Sequence, residues 1–591
     1  MLGNVSKIMN IIWLHYFVIL FSAAIVYFPS FSGEFILDDY SIVKDNLYIQ
    51  NFHSLASYLS QEDGIMYEGS NKEYHSGYYR PLINLLYTLE YKLWGLNPSG
   101  FRATNIALHI STCFILYVIL SYIFNNKAVS LVGVLFFALH PANTESVSWI
   151  ASRNNILVTF FCLLSFYFYI KKYSCKNISF EMFSVLFFGV ALLCKEFAVM
   201  LLPIFFIYDR IFEPDTCKFK KVFQNYLPFM IPITAYIYLR SMATGLLSTE
   251  NAYDIGRSIY FAPYLIVYNL RIIFLPFKLH NFIIHYPERY FCMEGIMGLI
   301  SIFLLGLFIW QQKKNKYILF SLLAFLISIL PVLHIIPTSS ISLISMRWLY
   351  FPMSFICIVI TWWLKSFLAA DRIFGRVIVI CVIFFYFPIY TYILNDNFWK
   401  TEELFFEKEI NLFGYDFYLC DLGIVYSQKG DYGRALKYFQ DAIEKKGFRD
   451  ESSLYVNLSA VLLDLDRPKT ALFFLEKPEP SDLWNELSSF YHNKGMAYFK
   501  IGDYSKAIHF LGQAVDKEPD NLHFLTSLST AYVAAGNVQD AVAVYNKILD
   551  LGYEPDVLRK NLDDSYNETG DSPITLESFT EPPAGPEDLS L

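Results

Sequence analysis

Two adjacent carboxylates lie in Glu34-Phe35-Ile36-Leu37-Asp38-Asp39-Tyr40, just beyond the first long apolar run, residues 8–31. Charges at the mouth of a membrane span are costly and commonly functional. Neighbouring carboxylates raise each other's pKa, so one can take a proton from a hydroxyl while the other orients a metal or the substrate. Three readings of Asp38 and Asp39 stay open here: a general base, a metal ligand, or a solvated loop that caps a helix. Further along, His140-Pro141-Ala142-Asn143-Thr144-Glu145 ends one apolar run and opens the next helix. That places His140 and the third candidate catalytic carboxylate, Glu145, beside the same outer space as the Asp pair.

Candidate anion binders are Arg80 in Tyr79-Arg80-Pro81, Lys195 in Lys195-Glu196, and Arg347 in Ser345-Met346-Arg347-Trp348-Leu349-Tyr350-Phe351-Pro352. A lone Arg among interface aromatics suits a lipid phosphate or pyrophosphate, though the same residue can simply anchor a helix at the membrane surface. Glu196 would orient Lys195, and Tyr350 follows Arg347. Thr338-Ser339-Ser340 precedes that stretch. Asn105 and His109 lie one turn apart on the second span, and Arg153 is an intramembrane charge that needs a partner, for which Glu145 and Glu196 are the candidates.

These residues need a membrane scaffold. The 591 residues are 55% hydrophobic and 17% charged, outside the range of soluble proteins of this size. The apolar excess comes in runs of about 20 residues up to Leu394 and then stops. Candidate spans are 8–28, 103–124, 128–139, 150–170, 180–194, 197–208, 226–239, 292–310, 317–336, 349–368 and 377–394. The first is longer than a signal h-region and lacks a small-x-small site, so it reads as a retained span. With the N-terminus cytoplasmic, Lys and Arg fall on the inner turns throughout, provided that 258–277, which carries Arg271, is re-entrant or interfacial. Eleven crossings then place the Asp pair, Glu145, Lys195, Arg347 and everything after Asn395 on the outer side. Pro81–Trp94 reads as an amphipathic helix there.

After Trp399 the pattern becomes helical hairpins with a period near 34. Units centre on Leu422-Gly423/Ala435, Leu458-Ser459/Ala471, Gly495/Ala507 and Leu528-Ser529/Ala541, the second being degenerate. The expected fold is all-α: a polytopic membrane helix bundle of about eleven spans with re-entrant or interfacial helices (1–396), an α-solenoid of tetratricopeptide repeats (397–560), and an acidic, disordered tail (561–591). The nine Cys are scattered without a CxxC and read as small buried hydrophobes. A net charge of -8 argues against nucleic acid as a partner.

There is no P-loop, dinucleotide fingerprint, GxSxG or HExxH. An outward-facing enzyme without nucleotide needs a pre-activated substrate delivered in the membrane, and polyprenyl-phosphate sugars meet that need.

In order along the chain, Leu37-Asp38-Asp39, Tyr79-Arg80-Pro81-Leu82, Asn105-Ile106-Ala107-Leu108-His109, His140-Pro141-Ala142-Asn143-Thr144-Glu145-Ser146-Val147, Lys195-Glu196 and Met346-Arg347-Trp348-Leu349-Tyr350-Phe351-Pro352 resemble the transmembrane and TPR repeat-containing O-mannosyltransferases and their bacterial relatives. The wider class is the GT-C glycosyltransferases. The resemblance implies a polyprenyl- or dolichyl-phosphate-sugar donor, a mannosyl group among the candidates, and a protein Ser/Thr or glycan acceptor on the outer face. It also implies a catalytic base or metal contact at Asp38 or Asp39, with Asp39 slightly preferred. Phosphate contacts fall on Arg347, Lys195 and Arg80, a divalent cation is optional, and the repeats dock a protein partner. The repeat array is shorter than in the animal members. Compact loops favour a bacterial inner membrane with periplasmic repeats. The alternative is the endoplasmic reticulum with lumenal repeats, where Asn457-Leu458-Ser459 and Asn567-Glu568-Thr569 would be glycosylation acceptors. Two other classes compete: a non-catalytic scaffold that uses the repeats to dock partners, and a lipid-sugar transporter, which should show paired broken helices.

Overall fold

The computed structural model describes residues 2–60, 64–66, 73–75, 78–214, 219–244, 255–279, 292–335, 342–369, 381–447, 451–476 and 488–552. The acidic tail, Asn567 and Thr338-Ser339-Ser340 lie outside these residues. The fold is all-α; the strands among the described residues are the three-residue pair Gly64–Met66 and Glu73–His75. The chain divides into two compact units, one of residues 1–65 and 74–405, the other of 66–73 and 406–591.

In the first unit a helix stands at each of the eleven apolar runs. Six among the described residues are long and apolar enough to cross a membrane: Ile12–Ser32, Pro98–Phe124, Ile150–Cys175, Met293–Gln311, Lys316–Leu333 and Met346–Ser366. The protein is therefore a multi-pass membrane protein. The expected count of eleven is not reached by this measure, because several helices are short. Lys127–Ala138 and Leu201–Phe212 have 12 residues each, about 18 Å at 1.5 Å per residue, against a hydrocarbon core of roughly 30 Å. The segment expected to be interfacial forms the helix Ile255–Phe274 and buries one stripe, including Ser258, Phe261, Ala262, Leu265, Asn269 and Ile272. Spacings of three and four mark it as amphipathic.

The amphipathic helix Pro81–Trp94 is fastened to the spans by one buried charge. Arg153 is fully buried. It pairs with Glu90, donates Nε to Asn105 Oδ1 at 2.6 Å and Nη2 to the Phe101 carbonyl at 2.7 Å, and lies 4.7 Å from the Tyr87 ring. The partner expected at Glu145 or Glu196 is thus Glu90. The reason is geometric: the amphipathic helix packs Tyr87 against Phe101 of Pro98–Phe124 and brings the Glu90 carboxylate to the guanidinium.

In the second unit all four expected hairpins form: Tyr418–Gln428 with Tyr432–Lys445, Glu451–Asp464 with Pro468–Glu476, Ser488–Ile501 with Tyr504–Lys517, and Leu522–Ala534 with Val538–Asp550. Three turns use Gly430, Gly502 and Gly536 at φ of 75°, 88° and 78°, a left-handed conformation that glycine takes without steric cost. The degenerate second unit places Asp466 there, at φ 55°, which a short polar side chain tolerates. Asp431 and Asp503 cap the second helices of units one and three, accepting from Arg434 N and Lys506 N. Asn457 sits inside a helix, half-buried, with its amide donating to the Ser453 carbonyl at 2.8 Å.

Leaving Arg153 buried without its carboxylate should be far worse than removing both charges. Glu90→Ala is expected to cost about 3–5 kcal/mol, and Glu90→Leu with Arg153→Leu much less, as read from unfolding midpoints of the detergent-solubilised protein.

Candidate active site

The loop that follows the first span begins where the N-terminal helix tightens into the 3-10 turn Phe28–Ser32. Arg102, fully buried near the start of Pro98–Phe124, donates to the carbonyls of Gly33 and Glu34 and, through Nε at 3.1 Å, to that of Ser148. Glu34 N donates to the Lys400 carbonyl at 2.8 Å, and Leu37 N to Glu402 Oε1 at 2.7 Å. Gly33 passes so close that a Cβ there would lie 2.9 Å from both Arg102 Nη1 and the Lys400 oxygen. Leu37 then takes a left-handed φ of 52°, a strained choice for a leucine and one that clusters at functional sites.

This path turns the two carboxylates opposite ways. Asp39 is fully buried; its Oδ2 accepts from Ile36 N at 3.2 Å and its Oδ1 from Ala151 N at 2.8 Å. Asp38 is exposed, and its backbone carbonyl accepts from Ile42 N as the chain enters a π-helical turn, Tyr40–Lys44, a distortion frequent at functional sites. Burial pushes the Asp39 carboxyl up to about 7, while Arg102 and the two backbone N–H groups oppose that rise and Asp38 adds to it. The slight preference for Asp39 as the base meets a geometric obstacle, because both of its oxygens already hold backbone N–H groups. Asp38 is the carboxylate that an incoming hydroxyl can reach.

The second part of the site gathers three cations. Arg347 stands in the 3-10 turn Met346–Leu349. Its backbone N donates to Glu145 Oε2 at 3.0 Å, its Nε lies 3.7 Å from Glu145 Oε1, and its guanidinium covers the Trp149 ring at 4.6 Å. Ser345 Oγ also donates to Glu145, at 2.5 Å. Glu145 is fully buried, and burial raises its carboxyl against the pull of Arg347. Glu145 is therefore occupied in seating Arg347.

Lys195, also buried, donates to Asn155 Oδ1 at 2.7 Å and lies 4.4 Å from the Phe197 ring. Burial first, and then the Arg80 and Arg347 charges, hold its amine well below the usual lysine range. Arg80 meets Glu196 at 3.3 Å; burial alone would raise Glu196, but Arg80 and Lys195 outweigh it and hold the carboxyl low. By formal charge, three basic side chains face two carboxylates, while burial works against the charge on Lys195. Beside them opens a pocket lined by Asn155, Val158, Phe197, Arg347, Phe351 and Pro352, among others. The segment Thr144–Ser152 joins the two halves, with Glu145 and Trp149 on Arg347 and Ala151 on Asp39.

The remaining candidates are structural in their contacts. His140 Nδ1 accepts from Ala142 N and its Nε2 faces the Ile273 carbonyl at 2.8 Å, between the Phe136 and Phe387 rings. Burial lowers it to about 4, so it stays neutral. His109 meets the Tyr350 hydroxyl at 2.6 Å and the Ala138 carbonyl at 3.1 Å, which joins three helices. No group of three His, Cys, Asp or Glu that could hold a metal occurs among the described residues. Both Asp39 oxygens already accept from backbone N–H groups. Sequence reading missed Arg102, Glu90, Asn155 and Glu402. Arg102 lies immediately before the second apolar run, 103–124, and so lacked the intramembrane signal of Arg153; nothing marked Glu402.

With this geometry in view, residues 77–238 match the family described as Dolichyl-phosphate-mannose-protein mannosyltransferase, and residues 418–444 and 498–559 match tetratricopeptide repeats. Similar proteins include Protein O-mannosyl-transferase TMTC4 of Homo sapiens, 30% identical over 210 residues, 32% of this chain and 28% of that protein. Protein O-mannosyl-transferase F38B6.6 of Caenorhabditis elegans is 26% identical over 234 residues, 39% and 32%. Protein O-mannosyl-transferase TMTC1 of Homo sapiens is 30% identical over 203 residues, 32% and 22%. The chain thus spans less than a third of the length of these relatives. The family match runs from the Arg80 turn through Lys195-Glu196, and so includes Glu145 and Arg153.

Gly33→Ala should force Arg102 or the Lys400 carbonyl away and cost about 1–3 kcal/mol, seen as a lowered unfolding midpoint with the fold retained by circular dichroism.

Proposed function

We propose that this protein is a membrane glycosyltransferase that moves a mannosyl group from a polyprenyl-phosphate carrier to a protein Ser or Thr hydroxyl on the outer face, with Asp38 as the general base. The observation that carries the reading is the partly buried cluster of Arg347, Lys195 and Arg80, three basic side chains set against the two carboxylates Glu145 and Glu196. A sugar-phosphate lipid is a phosphodiester with a single negative charge. It would be complemented by these basic side chains, which stand beside the apolar residues Val158, Phe197 and Phe351. The names of the similar proteins supply the sugar and the acceptor class.

In the reaction, Asp38 takes the proton of the acceptor hydroxyl. The freed oxygen attacks the sugar C1 from the face opposite the phosphate, the C1–O bond breaks, and the electron pair leaves on the carrier phosphate. Arg347 and Lys195 stabilise the charge that develops there. Asp39 positions Asp38 by pinning Ile36 N on one side and Ala151 N on the other. The repeats present the protein acceptor, and a bacterial inner membrane with periplasmic repeats is the proposed setting.

Three results test this. Asp38→Asn should fold normally and lose transfer by at least a hundredfold, assayed with polyprenyl-phosphate-mannose and a Ser/Thr peptide by product mass; full activity would sink the assignment. Arg347→Met should weaken donor binding at least tenfold and leave the acceptor KM unchanged.

The pH dependence has two opposite parts. Asp39 holds its proton up to about 7 in the folded chain and releases it near the ordinary value of about 4 when unfolded. The folded state is therefore favoured while Asp39 is protonated, and that contribution is lost as pH rises from about 4 through 7. Transfer should run the other way, rising through about pH 7 as the ionised carboxylate tightens its two N–H bonds. Asp39→Asn should flatten the stability profile across that window.

A further inference from the structure

We infer that Glu402 is a positioning residue for the proposed transfer: its carboxylate holds Leu37 in the left-handed conformation that turns Asp38 outward. This rests on the reading of Asp38 as the base. Leu37 N donates to Glu402 Oε1 at 2.7 Å, across 365 residues of sequence, and Leu37 carries a φ of 52°. No local hydrogen bond of that N–H is needed for the π-helical turn that follows, which begins at Tyr40. A leucine there prefers a negative φ, and an extended or helical Leu37 would swing the next side chain to another direction. The charged acceptor on the preceding N–H is what offsets that preference.

The anchoring side is itself ordered. Lys400 accepts from Glu34 N at 2.8 Å, so the chain just before Glu402 runs alongside the loop. Trp399, fully buried, stacks on Trp149, whose other neighbour is Arg347. Glu402 opens the helix Glu402–Phe413, where a carboxylate in the first turn is favourable and its side chain is held close to the backbone. The loop that carries the base is thus clamped by Arg102 at Gly33 and Glu34, by Asp39 at Ile36, and by Glu402 at Leu37. Glu402 is the side chain among these that comes from beyond the final apolar run, where the Lys400 carbonyl also holds Glu34 N.

The test uses the full-length protein in lipid nanodiscs with polyprenyl-phosphate-mannose and a Ser/Thr peptide, together with amide hydrogen exchange of the peptide covering 34–40. Glu402→Ala should speed exchange there at least tenfold and lower kcat at least tenfold, with both KM values within twofold of the parent. Glu402→Gln keeps an acceptor oxygen and should retain kcat within threefold. Leu37→Gly placed on Glu402→Ala removes the steric preference and should recover kcat at least threefold. If Glu402→Ala does not fold, Glu402→Asp, one methylene too short to keep the 2.7 Å contact, carries the same expectations. Unchanged exchange with unchanged kcat in Glu402→Ala overturns the inference, and so does a loss confined to KM that Leu37→Gly leaves unrelieved. Asp38→Asn run in parallel separates the two ideas. If it keeps full turnover the base assignment falls, while the exchange result still decides whether Glu402 holds the loop.

Discussion

A guanidinium with no water around it must give its N–H groups to protein oxygens, and Arg102 gives them to carbonyls of Gly33, Glu34 and Ser148. Those three carbonyls belong to the two segments that build the site. The first pair begins the loop of Asp38 and Asp39; the third lies in Thr144–Ser152, whose other residues receive Asp39 and seat Arg347. Because the donors of a guanidinium are planar and fixed in angle, the loop and the segment cannot slide past each other without leaving a buried donor unpaired. Gly33 is the counterpart of that constraint, since any side chain there would occupy the place of the guanidinium.

A second consequence is a division of labour among carboxylates. Of the acidic residues at this end of the membrane unit, Asp39, Glu145 and Glu90 are fully or nearly fully buried and each is held by identified donors. Asp38 is exposed, as is Glu34 earlier in the same loop. Buried acids fix geometry because removing any of them strands a donor or a cation. Function in this arrangement depends as much on which carboxylates are kept away from solvent as on which one is offered.

Periodicity carried the architecture well. The repeats were legible to the level of single turn residues, since a hairpin with a glycine stop has a local code and needs no knowledge of distant contacts. Even the weak second unit forms, with Asp466 in the glycine position. The crossings were less legible, because short helices such as Leu201–Phe212 carry the same apolar signal as full spans. At the site, sequence brought the right segments together but not the pairings. Arg153 found Glu90 rather than Glu145 or Glu196 because an amphipathic helix folds back onto the spans. Whether Asp38 or Asp39 turns inward was beyond the sequence, since that is decided by Ala151 N, 112 residues away.

The basic cluster around Lys195 also bears on the order of events in a catalytic cycle of the proposed kind. A sugar-phosphate lipid brings one negative charge; the carrier left after transfer is a phosphate monoester whose second ionisation falls near pH 6, so at neutral pH it brings closer to two. The same cations then grip the spent carrier more firmly than the loaded one. In the proposed cycle, departure of the spent lipid would then compete with formation of the new sugar linkage as the slow passage through the site.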